Sequence, residues 1–179
     1  GSETVNDLYL ARSVDNGATF TTHGLYDGHD GDTDQWRSRL VANESTGMLH
    51  ALIQDYATIG SDEGMNIFIA RIDPSNLAGG TLAPVSDAPA TGRIGDGANA
   101  YGGLISLDER AGKICAAWED RRERFSIYGA CSTDGGLTYG ANFRISPSDS
   151  LQPEIAIAPN GDLYTIYVHD GSSTRDLYL

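Results

Sequence analysis

Ser126-Ile-Tyr-Gly-Ala-Cys-Ser132 runs straight into Ser132-Thr-Asp134-Gly-Gly136-Leu-Thr138-Tyr139. The same succession stands near the start, where Asp7-Leu-Tyr-Leu-Ala-Arg-Ser13 leads into Ser13-Val-Asp15-Asn-Gly17-Ala-Thr19-Phe20. Both octapeptides read Ser-x-Asp-x-Gly-x-Thr-aromatic. Each preceding segment is a short, mostly apolar run bounded by turn residues, the signature of a β-strand. The chemistry of the octapeptide suits a hairpin turn. The Asp carboxylate accepts backbone N–H groups, the Gly supplies positive φ, and the Thr and aromatic start an outgoing strand.

Working outward, Asn66-Ile-Phe-Ile-Ala-Arg-Ile72 is a third copy of the strand and Asp176-Leu-Tyr-Leu179 begins a fourth. The shared alanines Ala11, Ala70 and Ala130 lie 59 and 60 residues apart. In the middle copy the turn has degenerated to Ile72-Asp-Pro-Ser-Asn-Leu77. A second strand, ending in Asp, precedes the repeat each time: Leu49–Asp55, Ile114–Asp120 and Tyr164–Asp170. Ahead of each lies one more strand and a tight turn, with Ser45-Thr-Gly47, Arg110-Ala-Gly112 and Asn160-Gly161. Four short strands every ~50–65 residues is the period of a β-propeller blade.

The expected fold is therefore all-β, with blades of four antiparallel strands, lettered A to D outward from the ring centre. Residues 1–4 are set aside as a tag and disordered start, with Gly1-Ser2 reading as a cloning scar. Residues 5–33 supply strands C–D, 34–90 one blade, 91–147 another, and 148–179 strands A–B with the start of C. That is about three blades, a partial ring or half of a six-bladed one, because propellers typically hold ~4–8.

Composition narrows the partners. The 179 residues hold 12 Lys+Arg against 25 Asp+Glu, a net charge of −13. Nucleic-acid binding needs clustered cations and is disfavoured, as is an anionic membrane surface. No apolar run reaches the ~20 residues that insert into a bilayer. Four carboxylates fall in Asp27-Gly-His-Asp30-Gly-Asp32-Thr-Asp34. Their oxygens suit Ca²⁺, although the spacing is not that of an EF-hand and a solvated acidic loop is the simpler reading. No other cofactor is called for. The four histidines show no zinc spacing.

The repeat resembles the bacterial-neuraminidase-repeat, or Asp-box, superfamily of sialidase-like propellers. Ala117-Trp-Glu-Asp-Arg-Arg122 followed by Ile127–Tyr139 is especially similar to exported bacterial members. The resemblance implies a secreted or cell-surface protein of bacterial type. It makes Ser13, Asp15, Gly17, Thr19, Phe20, Ser132, Asp134, Gly136, Thr138 and Tyr139 structural turn residues on the rim opposite the binding site. The D–A and B–C connections line the other rim, the mouth. There Trp36, Arg37, Asp55, Tyr101, Glu119, Asp120, Arg121, His169 and Asp170 are the ligand-binding candidates, set against ordinary strand-end turn chemistry for the aspartates. The family's Phe/Tyr-Arg-Ile-Pro motif is absent. Phe143-Arg-Ile-Ser146 resembles it but falls where a D strand is expected, so Arg144 reads as an exposed strand residue.

Three functions follow: a glycan-interacting propeller module; a sialidase-type glycoside hydrolase that needs the rest of the ring; or a non-catalytic structural propeller of a surface protein. Catalytic residues are unassigned. The remainder of a propeller or a second identical chain is the expected partner. Pairing Trp118 with Tyr128 puts Cys115 opposite Cys131, close enough for a bond. Two buried thiols are the alternative, and the export implied by the resemblance favours the disulfide.

Overall fold

The structure, a computed structural model, describes residues 8–26, 37–44, 46–59, 62–84, 105–120, 124–170 and 175–178. They form thirteen strands and no helix. Strands β1 (Leu8–Arg12) and β2 (Thr21–Tyr26) make a two-stranded sheet. Two four-stranded sheets follow in simple up-and-down order. The first contains β3 (Arg37–Ala42), β4 (Leu49–Ile59), β5 (Asp62–Asp73) and β6 (Asn76–Pro84). The second contains β7 (Ile105–Arg110), β8 (Lys113–Asp120), β9 (Ser126–Ser132) and β10 (Phe143–Arg144). The last sheet has three strands, β11 (Ser150–Ile157), β12 (Leu163–Asp170) and β13 (Arg175–Tyr178). Every strand pair is antiparallel. In chain order the four sheets are C–D, A–B–C–D, A–B–C–D and A–B–C, here blades 1 to 4.

Alternation along each strand sends successive side chains to opposite faces, and both faces of an interior blade are covered. One core between blades 1 and 2 gathers Leu10, Ala51, Ile53, Phe68, Ala70 and Ile72. Between blades 2 and 3 lie Leu52, Ile67, Ile69, Ile105, Leu107, Ile114, Trp118 and Tyr128. Between blades 3 and 4 lie Cys115, Ala117, Ile127, Ile155 and Ile157. β8 is therefore buried at nearly every position, which explains why its sequence is continuously apolar rather than alternating.

Polar ties fix each seam on the rim formed by the A–B and C–D turns. Arg12 donates to Pro74 O (3.1 Å), Asn43 to Glu109 (2.9 Å) and Lys113 to Gly161 O (2.8 Å). The two Ser-x-Asp loops are nearly superimposable in bonding. Asp15 accepts from Thr19 N (2.9 Å), Thr19 Oγ1 (2.6 Å) and Ser13 Oγ (2.7 Å). Asp134 accepts from Leu137 N, Thr138 N, Thr138 Oγ1 and Ser132 Oγ. The degenerate copy is a tight turn, in which Asp73 accepts from Ser75 N and Oγ at 2.8 and 2.7 Å. Cys115 and Cys131 are register partners joined by a disulfide, with Cα atoms 4.1 Å apart.

Candidate functional site

Because the strands run up and down, the B–C and D–A connections share the rim opposite the Ser-x-Asp loops. The part of this mouth described most fully, side chains included, is the seam between blades 3 and 4. Ser150 N donates to Phe125 O (2.9 Å), and Asp170 N donates to Asp149 O (2.7 Å). These bonds draw the β8–β9 connection, the chain leading into β11 and the end of β12 together. Arg124 and Asp149 form an exposed ion pair at 3.3 Å.

The backbone here is unusual. Among the described residues five non-glycine residues have positive φ, and three of them are Arg124 (69°), Asp149 (62°) and Gln152 (57°). The other two, Asn16 and Ala111, sit in turns on the opposite rim. A left-handed conformation costs a side-chain-bearing residue about 1–2 kcal/mol, and an exposed ion pair returns at most about 1 kcal/mol. Such strain persists where surrounding contacts enforce it. Glu119 does so at Gln152, whose N–H it accepts at 2.7 Å, across a register shift between Leu151 and Glu154.

The candidate residues divide. Glu119 and Asp120 are buried; the first holds Gln152 and the second accepts the Trp118 indole N–H at 3.1 Å. Asp170 is exposed and His169 half-buried. Arg37 opens β3, opposite Gln54. Asp55 is paired with Asn66 in the β4–β5 ladder, and its side chain lies outside the described residues. So do Trp36, Tyr101 and Arg121, and the acidic stretch Asp27, Asp30, Asp32 and Asp34. Among the described residues no group of three or more His, Cys, Asp or Glu is arranged to hold a metal ion.

Register also re-aligns the repeat. Asp55 faces Asn66 and Asp120 faces Ser126, but in blade 4 it is His169 that faces Asp176. His169, not Asp170, therefore stands where Asp55 and Asp120 stand. Asp170 is one residue further out, on the opposite face.

Several mouth residues were not among the sequence candidates. Arg39 and Glu154, on the inner strands of blades 2 and 4, approach to 4.0 Å with both side chains accessible. Ser106 donates to Glu154 at 2.9 Å and accepts Ile155 N–H at 3.0 Å. Arg144 is an exposed D-strand residue, as expected, yet its guanidinium is fixed. It donates to Ser146 O (2.7 Å), Ser148 Oγ (3.1 Å) and Ser126 Oγ (3.2 Å). The Arg121-Arg-Glu-Arg124 run and the Pro147-Ser-Asp149 turn were the only sequence signals for Arg124 and Asp149.

A cavity of about 350 Å³ lies on the other rim, lined by Ala42, Glu44, Glu109, Arg110 and Ala111. Glu109 there is bonded to Asn43 and to Gly112 N, so the cavity follows from small residues beside the A–B turns.

No family model and no curated protein matches this chain. Among solved structures it is similar to a thermostable family-43 glycoside hydrolase, with TM-score 0.53 and 13% identity over 88% of this chain and 55% of that one. It is also similar to a protein of unknown function from Dyadobacter fermentans DSM 18053, with TM-score 0.54 and 14% identity over 96% and 51%. The chain thus spans about half the length of each. Likeness at this identity concerns fold, and with the four-stranded blades it makes the chain a segment of a β-propeller, about three blades long.

Proposed function

We propose that the chain is a glycan-interacting propeller module that binds sugars at the mouth beside Arg124, Asp149 and Gln152. The carrying observation is the cluster of three left-handed, side-chain-bearing residues around an exposed ion pair. Sugars are held by a few well-placed polar groups on a largely pre-formed surface. An arginine, a carboxylate and an amide fixed by strained backbone and the Glu119 clasp suit that task. The resemblance to sialidase-like Asp-box propellers and the likeness to a structure titled a glycoside hydrolase support the same substrate class. The disulfide supports a secreted or cell-surface setting. Ca²⁺ held by the Asp27–Asp34 loop belongs to this proposal, and a melting temperature unchanged by Ca²⁺ or EDTA would remove it.

Hydrolysis is the second reading. It is favoured by two exposed carboxylates, Glu154 beside the Arg39 guanidinium and Asp170 at the end of β12, because glycoside cleavage is commonly run by a pair of carboxyl groups. The test is a glycan array followed by incubation with a fluorogenic sialoside. Binding without turnover supports the module, and turnover abolished by Glu154→Gln supports the hydrolase. Neither binding nor turnover leaves the structural propeller.

A further inference from the structure

Phe125 is 37% exposed on the mouth, one residue from the Arg124–Asp149 ion pair. A single exposed apolar side chain is ordinary on a protein surface, so exposure alone assigns it nothing. Its setting does. Ladder register makes Asn66, Ser126 and Asp176 equivalent, since they face Asp55, Asp120 and His169 at the ends of the three B strands. The residues just before them are Met65, Phe125 and Arg175. One position holds a thioether, a phenyl ring and a guanidinium, so blade packing does not dictate an aromatic there.

The backbone under the ring is pinned on both sides. Arg124 is left-handed at 69°, and Phe125 O accepts Ser150 N–H at 2.9 Å. Ser126 is buried and its hydroxyl accepts from Arg144 at 3.2 Å. Ile127 N donates to Ser146 Oγ at 2.8 Å, and Ile127 O accepts Ile145 N–H at 2.8 Å. A phenyl ring on so fixed a backbone has two torsions to lose when something covers it, a small entropic cost.

The charges beside the ring are already engaged. Arg124 faces Asp149 at 3.3 Å, and Arg144 is bonded to Ser126, Ser146 and Ser148. Asp170, whose N–H donates to Asp149 O at 2.7 Å, adds an exposed carboxylate. An acidic ligand would compete with Asp149 for Arg124 and meet Asp170, on a chain of net charge −13.

We propose that Phe125 is the stacking platform of the mouth and that the site takes uncharged pyranosides. The C–H face of the sugar lies on the phenyl face, which is the negative side of the ring quadrupole. Hydroxyls at the sugar's edge are served by Arg124 as donor and Asp149 as acceptor, and neither needs a formal charge on the ligand. This rests on the mouth being a glycan site, and adds to it the ligand class and the residue that selects it.

The test is an array of matched pairs, each neutral oligosaccharide beside its sialylated or uronic counterpart. Calorimetric titration of the tightest binder into wild type, Phe125→Leu, Phe125→Trp and Arg124→Ala follows. Neutral members are expected to be preferred. Phe125→Leu keeps apolar bulk without a ring and is expected to bind about five- to tenfold more weakly, whereas Phe125→Trp retains affinity. A preference for the acidic members overturns the proposal, as does full affinity in Phe125→Leu with loss in Arg124→Ala; both leave the glycan site standing. Binding of neither class overturns the site and the platform together.

Discussion

At Gly136 a β-carbon would meet the His50 ring at 3.1 Å, in a backbone with φ of 83°. At Gly17, the matching position of the first loop, φ is 88° but nothing lies within 4 Å. Gly17→Ala should thus cost only the conformational penalty, about 1 kcal/mol. Gly136→Ala should cost clearly more, because His50 is buried against Gly135 O at 3.2 Å and cannot withdraw freely. Urea denaturation of the two variants checks the ordering. The aspartates of these loops act through pH. Hydrogen bonds from Thr19, then Ser13, hold the Asp15 carboxyl down from 3.8 to about 2, and Thr138 and Ser132 depress Asp134 further. A carboxyl lowered in the folded state stabilises above its unfolded value, and the benefit is lost as pH falls through the folded one. The melting temperature should therefore drop between about pH 4 and 2, and Asp15→Asn/Asp134→Asn should flatten that slope. At the mouth, Arg124→Gly relieves a left-handed arginine and should stabilise by about 1 kcal/mol while weakening glycan binding. A stabilised variant with unchanged binding would separate the strain from the site.

Among the elements, the β8–β9 hairpin is the best-secured. Its disulfide closes a loop with a sequence separation of 16, worth about 3 kcal/mol by chain entropy, so Cys115→Ala/Cys131→Ala should lose about that much in urea denaturation. Glu119→Ala should cost about 1–3 kcal/mol, since it leaves the Gln152 N–H without its buried acceptor. Most of this architecture was legible beforehand. Strand periodicity and the 59- and 60-residue spacings fix which residues share a ladder, and that sufficed to set Cys115 against Cys131. The mouth was less legible for physical reasons. A left-handed glycine announces itself, but a left-handed Arg124 or Gln152 is imposed by distant partners. Counting Asp170 with Asp55 and Asp120 followed the recurrent Asp at the strand end, whereas pairing with β13 makes His169 the counterpart. Arg39 and Glu154 approach each other from blades 2 and 4, a feature of the tertiary arrangement rather than of local sequence.

For the whole molecule, the −13 charge is in part a consequence of the hairpins, whose loops use Asp15, Asp73 and Asp134 as backbone acceptors. What remains distinctive is the division between the rims. One carries the Ser-x-Asp turns and the ties between blades; the other gathers three left-handed residues, arginines and carboxylates at the seam between blades 3 and 4. The central prediction is that sugar binds at that second rim. The direct measurement is a glycan array of the wild-type chain beside Arg124→Ala and Asp149→Asn, whose exposed ion pair is worth no more than about 1 kcal/mol, and Thr22→Ala on blade 1 as an unrelated surface control. The prediction is a defined set of glycans bound by wild type and by Thr22→Ala and lost in both mouth variants. Binding retained in Arg124→Ala and Asp149→Asn, or no glycan bound by wild type, would contradict it.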